Sequence, residues 1–555
     1  MHFTEEPIRD GLFQNCCNKG KVKLILPSTD FPSLLKDLFQ GKHEHSKNFK
    51  ENIRQYNNAH AFASFGFNNS SLIGREGGPY SFIIHGQAYY RSFPLFPSNP
   101  SYKPTYSQLY IVDVHEALDN RMTLPANQKC IRHLMLAIDY LIRECNPFAR
   151  AFKNMGEVVA EEARKARRQQ RKVEQVTMVF YKDLTMDQRR YNTSSSDEIA
   201  VVFKNKDGLS PSYVNCHAQL KISQNGSTAV CLNYCNPQCD PMLYPPLFPQ
   251  GYVGWDINMP QVIINEGDRT GQERRVTLKM FYCHRLAFRD GDFNVLLMAG
   301  KLTQQYIVCA YVKIEGNNLE FVLRHQDQLR VENYSGLSDF LAARSDSTNI
   351  KVGRMILLPS SFIGSPRAMI QLYQDAMALI TTFGKPHIFL TMTCNPKWPE
   401  ITANLLPGQK TEERPDLVTR VFHLKLRKLL DEITKENYFG KVKAYLGVIE
   451  FQKRGLPHSH IVLTMEADES FDTPERIDTL ISAEIQNPNL YPRIHKTVMR
   501  CMIHGPCGNI NPSVPCMEKG KCTKGFSKRF HPHYQYCPRS LPSLPSKDVR
   551  RNSSR

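Results

Sequence analysis

Gly447-Val-Ile-Glu-Phe-Gln-Lys-Arg-Gly-Leu-Pro-His-Ser-His-Ile-Val-Leu463 holds the pattern that decides how this chain is read. Residues i and i+2 of an extended strand point to one face, so His458 and His460 can present two imidazoles to a single metal ion. The apolar run Ile461-Val-Leu463 continues that strand into a sheet. A His-x-His pair alone has little specificity. The chain holds 18 histidines and repeats the spacing at His43-Glu-His45 and His531-Pro-His533. Context separates the pairs, and here it is a second strand that ends in polar groups, Phe389-Leu-Thr-Met-Thr-Cys-Asn-Pro-Lys-Trp398.

These two segments, in this order, resemble the Rep nuclease of Helitron transposons, a family within the HUH superfamily of single-strand DNA endonucleases. The likeness extends to Ile356-Leu-Leu-Pro-Ser-Ser-Phe-Ile-Gly-Ser-Pro-Arg367, Leu372-Tyr-Gln-Asp-Ala-Met377 and Gly384-Lys-Pro-His387. Upstream it takes in Asn52-Ile-Arg-Gln-Tyr-Asn57, Asp187-Gln-Arg-Arg-Tyr-Asn192, Tyr244-Pro-Pro-Leu-Phe-Pro249 and Leu302-Thr-Gln-Gln-Tyr306. It spans roughly residues 13 to 530.

The resemblance implies an α/β protein of several domains, with an HUH-type nuclease domain of mainly antiparallel sheet after a long mixed N-terminal region. It implies a divalent ion, Mg²⁺ or Mn²⁺, held by His458, His460 and a third polar residue on the preceding strand. Glu450 and Gln452 alternate onto one face of that strand, and Glu450 offers the harder oxygen. Imidazoles suit Mn²⁺, Co²⁺ or Zn²⁺ better than Mg²⁺, so the spacing leaves the metal open. Ser459 departs from the bulky residue usual between the histidines of the wider superfamily, although Helitron relatives often carry a small one. Thr391, Thr393, Asn395 and Lys397 are expected beside the metal on the DNA side. Trp398 either stacks on an unpaired base or packs beneath the sheet. Lys453 and Arg454 flank the site as phosphate contacts.

Composition agrees with a polyanionic partner. The chain of 555 residues carries a net charge of +18, which suits phosphate contacts that weaken as salt rises; the resemblance implies that this partner is single-stranded DNA. Its length corresponds to roughly three or four domains. No apolar run approaches a membrane span, and Met1-His-Phe-Thr-Glu-Glu6 lacks a signal-peptide core. Sixteen cysteines without such a signal point to a reducing compartment, where clusters bind metal more often than they pair.

Five regions are expected: 1–150, mixed α/β; 151–275, a basic helix and a Pro/Cys-rich linker; 276–470, the Rep domain; 471–530, a Cys/His cluster; and 531–555, a disordered tail. Alternating runs at Ser81–Gly86 and Leu109–Asp113 read as strands. Residues 154–176 read as a helix whose Arg and Lys side chains between Arg164 and Lys172 line either DNA or solvent. Asn233–Met242 reads as a loop, with Cys231, Cys235 and Cys239 structural rather than metal-binding. Helices are expected within 276–341 and over 368–382 and 417–436, with strands over 388–393 and 444–451.

His504, Cys507, Cys516 and Cys522, spaced H-x2-C-x8-C-x5-C, are consistent with a structural Zn²⁺ knuckle or with buried free thiols. Cys16 and Cys17 look like the tail of a second cluster, as if the chain began late. The family's Y-x-x-x-Y helix has no counterpart after the histidines, so no catalytic tyrosine is assigned. Tyr534 and Tyr536 are too close together, and Tyr102, Tyr106 and Tyr110 precede the metal strands. No G-x-x-x-x-G-K-[ST] occurs, so nucleotide binding is not expected. The expected protein is a truncated Helitron Rep-like chain, nuclear by its family's role, that binds single-stranded DNA but lacks nicking and helicase activity. The alternatives are an active endonuclease using a nonstandard tyrosine or water, a host-adopted DNA-binding regulator, and an inert remnant.

Overall fold

The computed structural model describes chiefly residues 17–24, 31–67, 103–181, 230–262, 274–289, 293–326, 358–452, 455–466 and 485–501, with short pieces between and beyond them. The protein is mixed α/β, with small sheets among many helices. It divides into two compact units: Met1–Gln371 with Thr393–Lys425 and Glu450–His458, and Leu372–Met392 with Leu426–Ile449 and Ser459–Arg555. The division falls inside continuous helices and strands.

The first unit is built on short amphipathic helices. Helix α1 (Ser33–Gln40) stops at Gly41, whose φ of 82° is left-handed and whose N–H reaches the Asp37 and Leu38 carbonyls. Helices α2 (Ser46–Glu51) and α3 (Ile53–His60) follow; Phe39 meets Phe49 edge to face, and Tyr56 lies tilted against Phe49. Strands β1 (Ser64–Phe67) and β2 (Ala88–Ser92) pair antiparallel. After α4 (Val114–Met122) and α5 (Arg132–Cys145), α6 (Pro147–Arg168) starts with Pro147 in its first turn and Asn146 Oδ1 accepting the Phe148 N–H at 2.9 Å. Its buried stripe of Phe148, Phe152, Met155 and Val159 faces the core, and Phe152 stacks on Phe62 at 5.7 Å.

Helix α6 therefore lies seven residues ahead of its expected start and ends before 176. Gln170, at φ 49°, turns the chain out of it toward β3 (Gln175–Tyr181). Part of the basic run is used internally there: Lys165 pairs with Glu161, and Arg171 with Glu162, both at 2.5 Å. Strand β3 lies between β4 (Ala200–Asn205) and β5 (Ala218–Ser223), and β6 (Val230–Leu232) joins β2. Ser81–Ile84 is a strand, but Tyr106–Tyr110 is a 3₁₀ helix rather than the start of one. The buried Tyr110 hydroxyl donates to the His60 carbonyl at 2.6 Å, and that bond fixes the turn.

The Pro/Cys-rich segment read as a loop ends in a short helix, α7 (Cys239–Leu243), that belongs to the core. Asp240 is buried there among α8 (Leu278–Leu286) and α9 (Lys301–Arg324). Lys313 Nζ donates to Asp240 Oδ1 at 2.5 Å, while Arg285 Nη1 and the Tyr306 hydroxyl donate to Oδ2 at 3.2 and 2.9 Å. All four residues are buried, so one carboxylate holds two cations out of water.

The remaining elements surround the histidine pair. Helix α10 (Pro366–Phe383) starts where Ser365 Oγ accepts the Ala368 N–H and ends at Gly384, φ 92°. Strand β7 (Ile388–Thr393), α11 (Pro399–Thr402) and α12 (Pro415–Thr434) precede β8 (Val442–Phe451) and β9 (Pro457–Met465). The strands form one sheet in the order β7-β9-β8. Backbone bonds Cys394 N→Pro457 O and His387 N→Leu463 O make β7 antiparallel to β9. Gln452 N→Leu456 O and Glu466 N→Lys441 O do the same for β8 and β9. Helix α13 (Pro492–Cys501) precedes Cys507, Cys516 and Cys522.

Candidate metal centre and nucleic-acid interface

The central strand β9 carries both histidines. Its middle place in the sheet explains why most of its residues are buried while β8 is largely exposed. The hairpin between them closes at Gly455, whose φ of 77° suits a residue without Cβ and whose N–H donates to the Gln452 carbonyl at 2.7 Å. Ser459 points away from the histidine face, fully buried, and its hydroxyl donates to the Val448 carbonyl at 3.3 Å. A small residue is what this tight strand contact accommodates. At the far end, His387 Nδ1 accepts the Met465 N–H at 3.0 Å and pins the start of β7.

Among the described residues, Glu450, His458 and His460 bring one ligand atom each to within 4.8 Å of the others. The carboxylate comes from β8 and both imidazoles from β9. Thr393, the last residue of β7, places its Oγ1 2.7 Å from His458 Nδ1. With Nδ1 engaged by that hydroxyl, Nε2 is the atom that would ligate, as metal-binding histidines commonly use their second nitrogen to fix the ring. One oxygen and two nitrogens fit a divalent ion such as Mn²⁺ or Co²⁺. Gln452 lies at the exposed end of β8, its N–H spent on the hairpin.

Thr393 is thus placed to orient the His458 ring. Thr393→Val keeps the shape and removes the hydroxyl. Its Mn²⁺ affinity should fall about tenfold, measured by titration calorimetry, whereas an unchanged affinity would remove the threonine from the site.

The other expected contacts are distributed unevenly. Thr391 is exposed on the same face of β7 as Thr393. Asn395 Oδ1 accepts the Lys397 N–H at 2.9 Å, a turn that leaves both residues exposed after the strand. Trp398 is half-buried, with Lys425 Nζ 5.0 Å from its ring centroid and that same ammonium 2.7 Å from Glu400. Lys453 and Arg454, His504, and Tyr534 and Tyr536 lie outside the described residues.

A second group of three comes from Cys507, Cys516 and Cys522, whose sulfurs also lie within 4.8 Å of one another. Lys519 and Gly520, both at positive φ, turn a hairpin in which Met517 faces Cys522. Thr523 N–H donates to the Cys516 carbonyl at 2.7 Å and closes its foot. Desolvation pushes the Cys507 thiol up to about 11, with Cys522 and Cys516 beside it adding to the rise. Cys235 and Cys239 form no such group among the described residues.

The fold carries a group of possible metal ligands on a small antiparallel sheet and a second group of three cysteines. Residues 281–463 match the family model described as the Helitron helicase-like domain at N-terminus. No curated protein matches the chain. No helix among the described residues is long and apolar enough to cross a membrane.

Two features lie beyond the motifs read in the sequence. The pairing of Thr393 with His458 joins residues 65 apart in the chain, and only the strand register of β7 against β9 predicts it. Phe389 alternates onto the face of Thr391 and Thr393, which the strand's period could have revealed.

Proposed function

We propose that this chain binds single-stranded DNA through an HUH-type site, in which Glu450, His458 and His460 hold a divalent ion that grips a phosphate. The observation that carries this reading is the convergence of those three side chains on one sheet face, inside the Helitron helicase-like stretch. The ion would polarise the phosphate. Thr391, Asn395 and Lys397 would contact the strand around it, and the net charge of +18 supplies long-range attraction.

The test is affinity for a single-stranded oligonucleotide as a function of salt. Log affinity should fall linearly with log salt concentration, since phosphate contacts release counterions. A flat plot, or tighter binding of intact duplex, would contradict the proposal.

The three cysteines support Zn²⁺ as a second, structural ion, and His504 is the fourth ligand that the sequence spacing suggests. Zinc content of the purified chain should drop in Cys516→Ser, measured by elemental analysis. Full zinc content in that variant would rule these thiols out as ligands.

A further inference from the structure

Phe389 stands two residues before Thr391 on β7, so its side chain shares the polar face of the strand. Its ring lies nearly parallel to the His460 imidazole, with 17° between planes and 5.5 Å between centroids. Yet 65% of the residue is exposed to water. A metal-ligand histidine is therefore bordered by an aromatic ring whose surface is largely uncovered. Trp398, the other aromatic candidate nearby in sequence, is half-buried and has an ammonium over its ring.

We propose that Phe389 is the stacking platform for one unpaired base of single-stranded DNA, beside the phosphate held at Glu450, His458 and His460. The proposal rests on the reading of that face as a DNA site and adds the residue that receives the base. Base–aromatic stacking needs an accessible ring face and a base freed from its partner, and it tolerates any base because each has a π-face. Extending an imidazole–phenyl stack by a base uses the exposed surface of Phe389 without moving the metal ligands.

The experiment uses the full chain, Mn²⁺ and an oligothymidylate carrying one 2-aminopurine, with binding read from fluorescence quenching. Phe389→Leu keeps apolar bulk but removes the aromatic face. It should bind about tenfold more weakly and lose the quenching, whereas Phe389→Trp should retain both. Mn²⁺ affinity without DNA should be the same in all three proteins, which shows the fold and ligands intact. Wild-type affinity and quenching in Phe389→Leu would overturn the platform while leaving DNA binding in place. Loss of Mn²⁺ binding in Phe389→Leu would also overturn it, making the ring a prop for His460. A wild-type chain that binds no oligonucleotide would bring down the DNA reading and the platform together.

Discussion

Asp240→Asn should destabilise the first unit by about 3–5 kcal/mol, because it removes one partner from a buried ion cluster. The amide keeps the volume of the carboxylate but leaves Lys313 and Arg285 without a counter-charge, and both are buried. Burial by itself pushes the Asp240 carboxyl up, but Lys313 and Arg285 more than offset it and hold the group below the usual carboxylate range. The folded value is thus the depressed one. Its stabilisation is full at neutral pH and is lost only as pH falls through that depressed value. Burial likewise opposes the charge on Lys313, yet Asp240 keeps its ammonium titrating well above the ordinary lysine value. The measurement is the urea midpoint of Asp240→Asn, followed by the double variant Asp240→Asn/Lys313→Met. Deleting one stranded cation should restore part of the loss. An unchanged midpoint in the single variant would mean that the cluster is solvated and contributes little.

His458→Ala or His460→Ala should weaken Mn²⁺ or Co²⁺ binding by at least about tenfold, since each removes a ligand outright. Glu450→Gln should also weaken it, because an amide oxygen is a poorer donor than a carboxylate for a hard cation. His43→Ala is the control. His43 Nδ1 accepts the His45 N–H at 3.1 Å, and His45 Nε2 lies 2.6 Å from His133 Nε2, so that pair serves a separate local contact. Equal loss from His43→Ala would show that the metal sits at the wrong end of the chain for this account.

Much of the site is legible in the sequence because strands announce themselves by period and punctuation. The strand Ile388–Thr393 falls on the expected residues, since its apolar alternation is bounded by Gly384 and Asn395-Pro396. The spacing of His458 and His460 fixes their common face, and the carboxylate brought beside them is Glu450. The segment around Asp240 is misread for a physical reason. Proline, asparagine and cysteine give it the composition of a loop, while its burial depends on Arg285 and Lys313, which lie 45 and 73 residues onward. No local pattern encodes those partners. Helix α6 is misplaced at its start because its apolar residues Phe148 and Phe152 lie ahead of the charged stretch that drew attention to it.

The most direct measurement is the affinity of the metal-free chain for a single-stranded oligonucleotide, with and without added Mn²⁺, in the wild type and in His458→Ala. A phosphate gripped by the ion couples the two binding events, and that coupling is reciprocal. The account predicts tighter DNA binding on adding Mn²⁺ to the wild type and no change in His458→Ala. Wild-type DNA affinity indifferent to Mn²⁺, or an equal Mn²⁺ response in the variant, would contradict it.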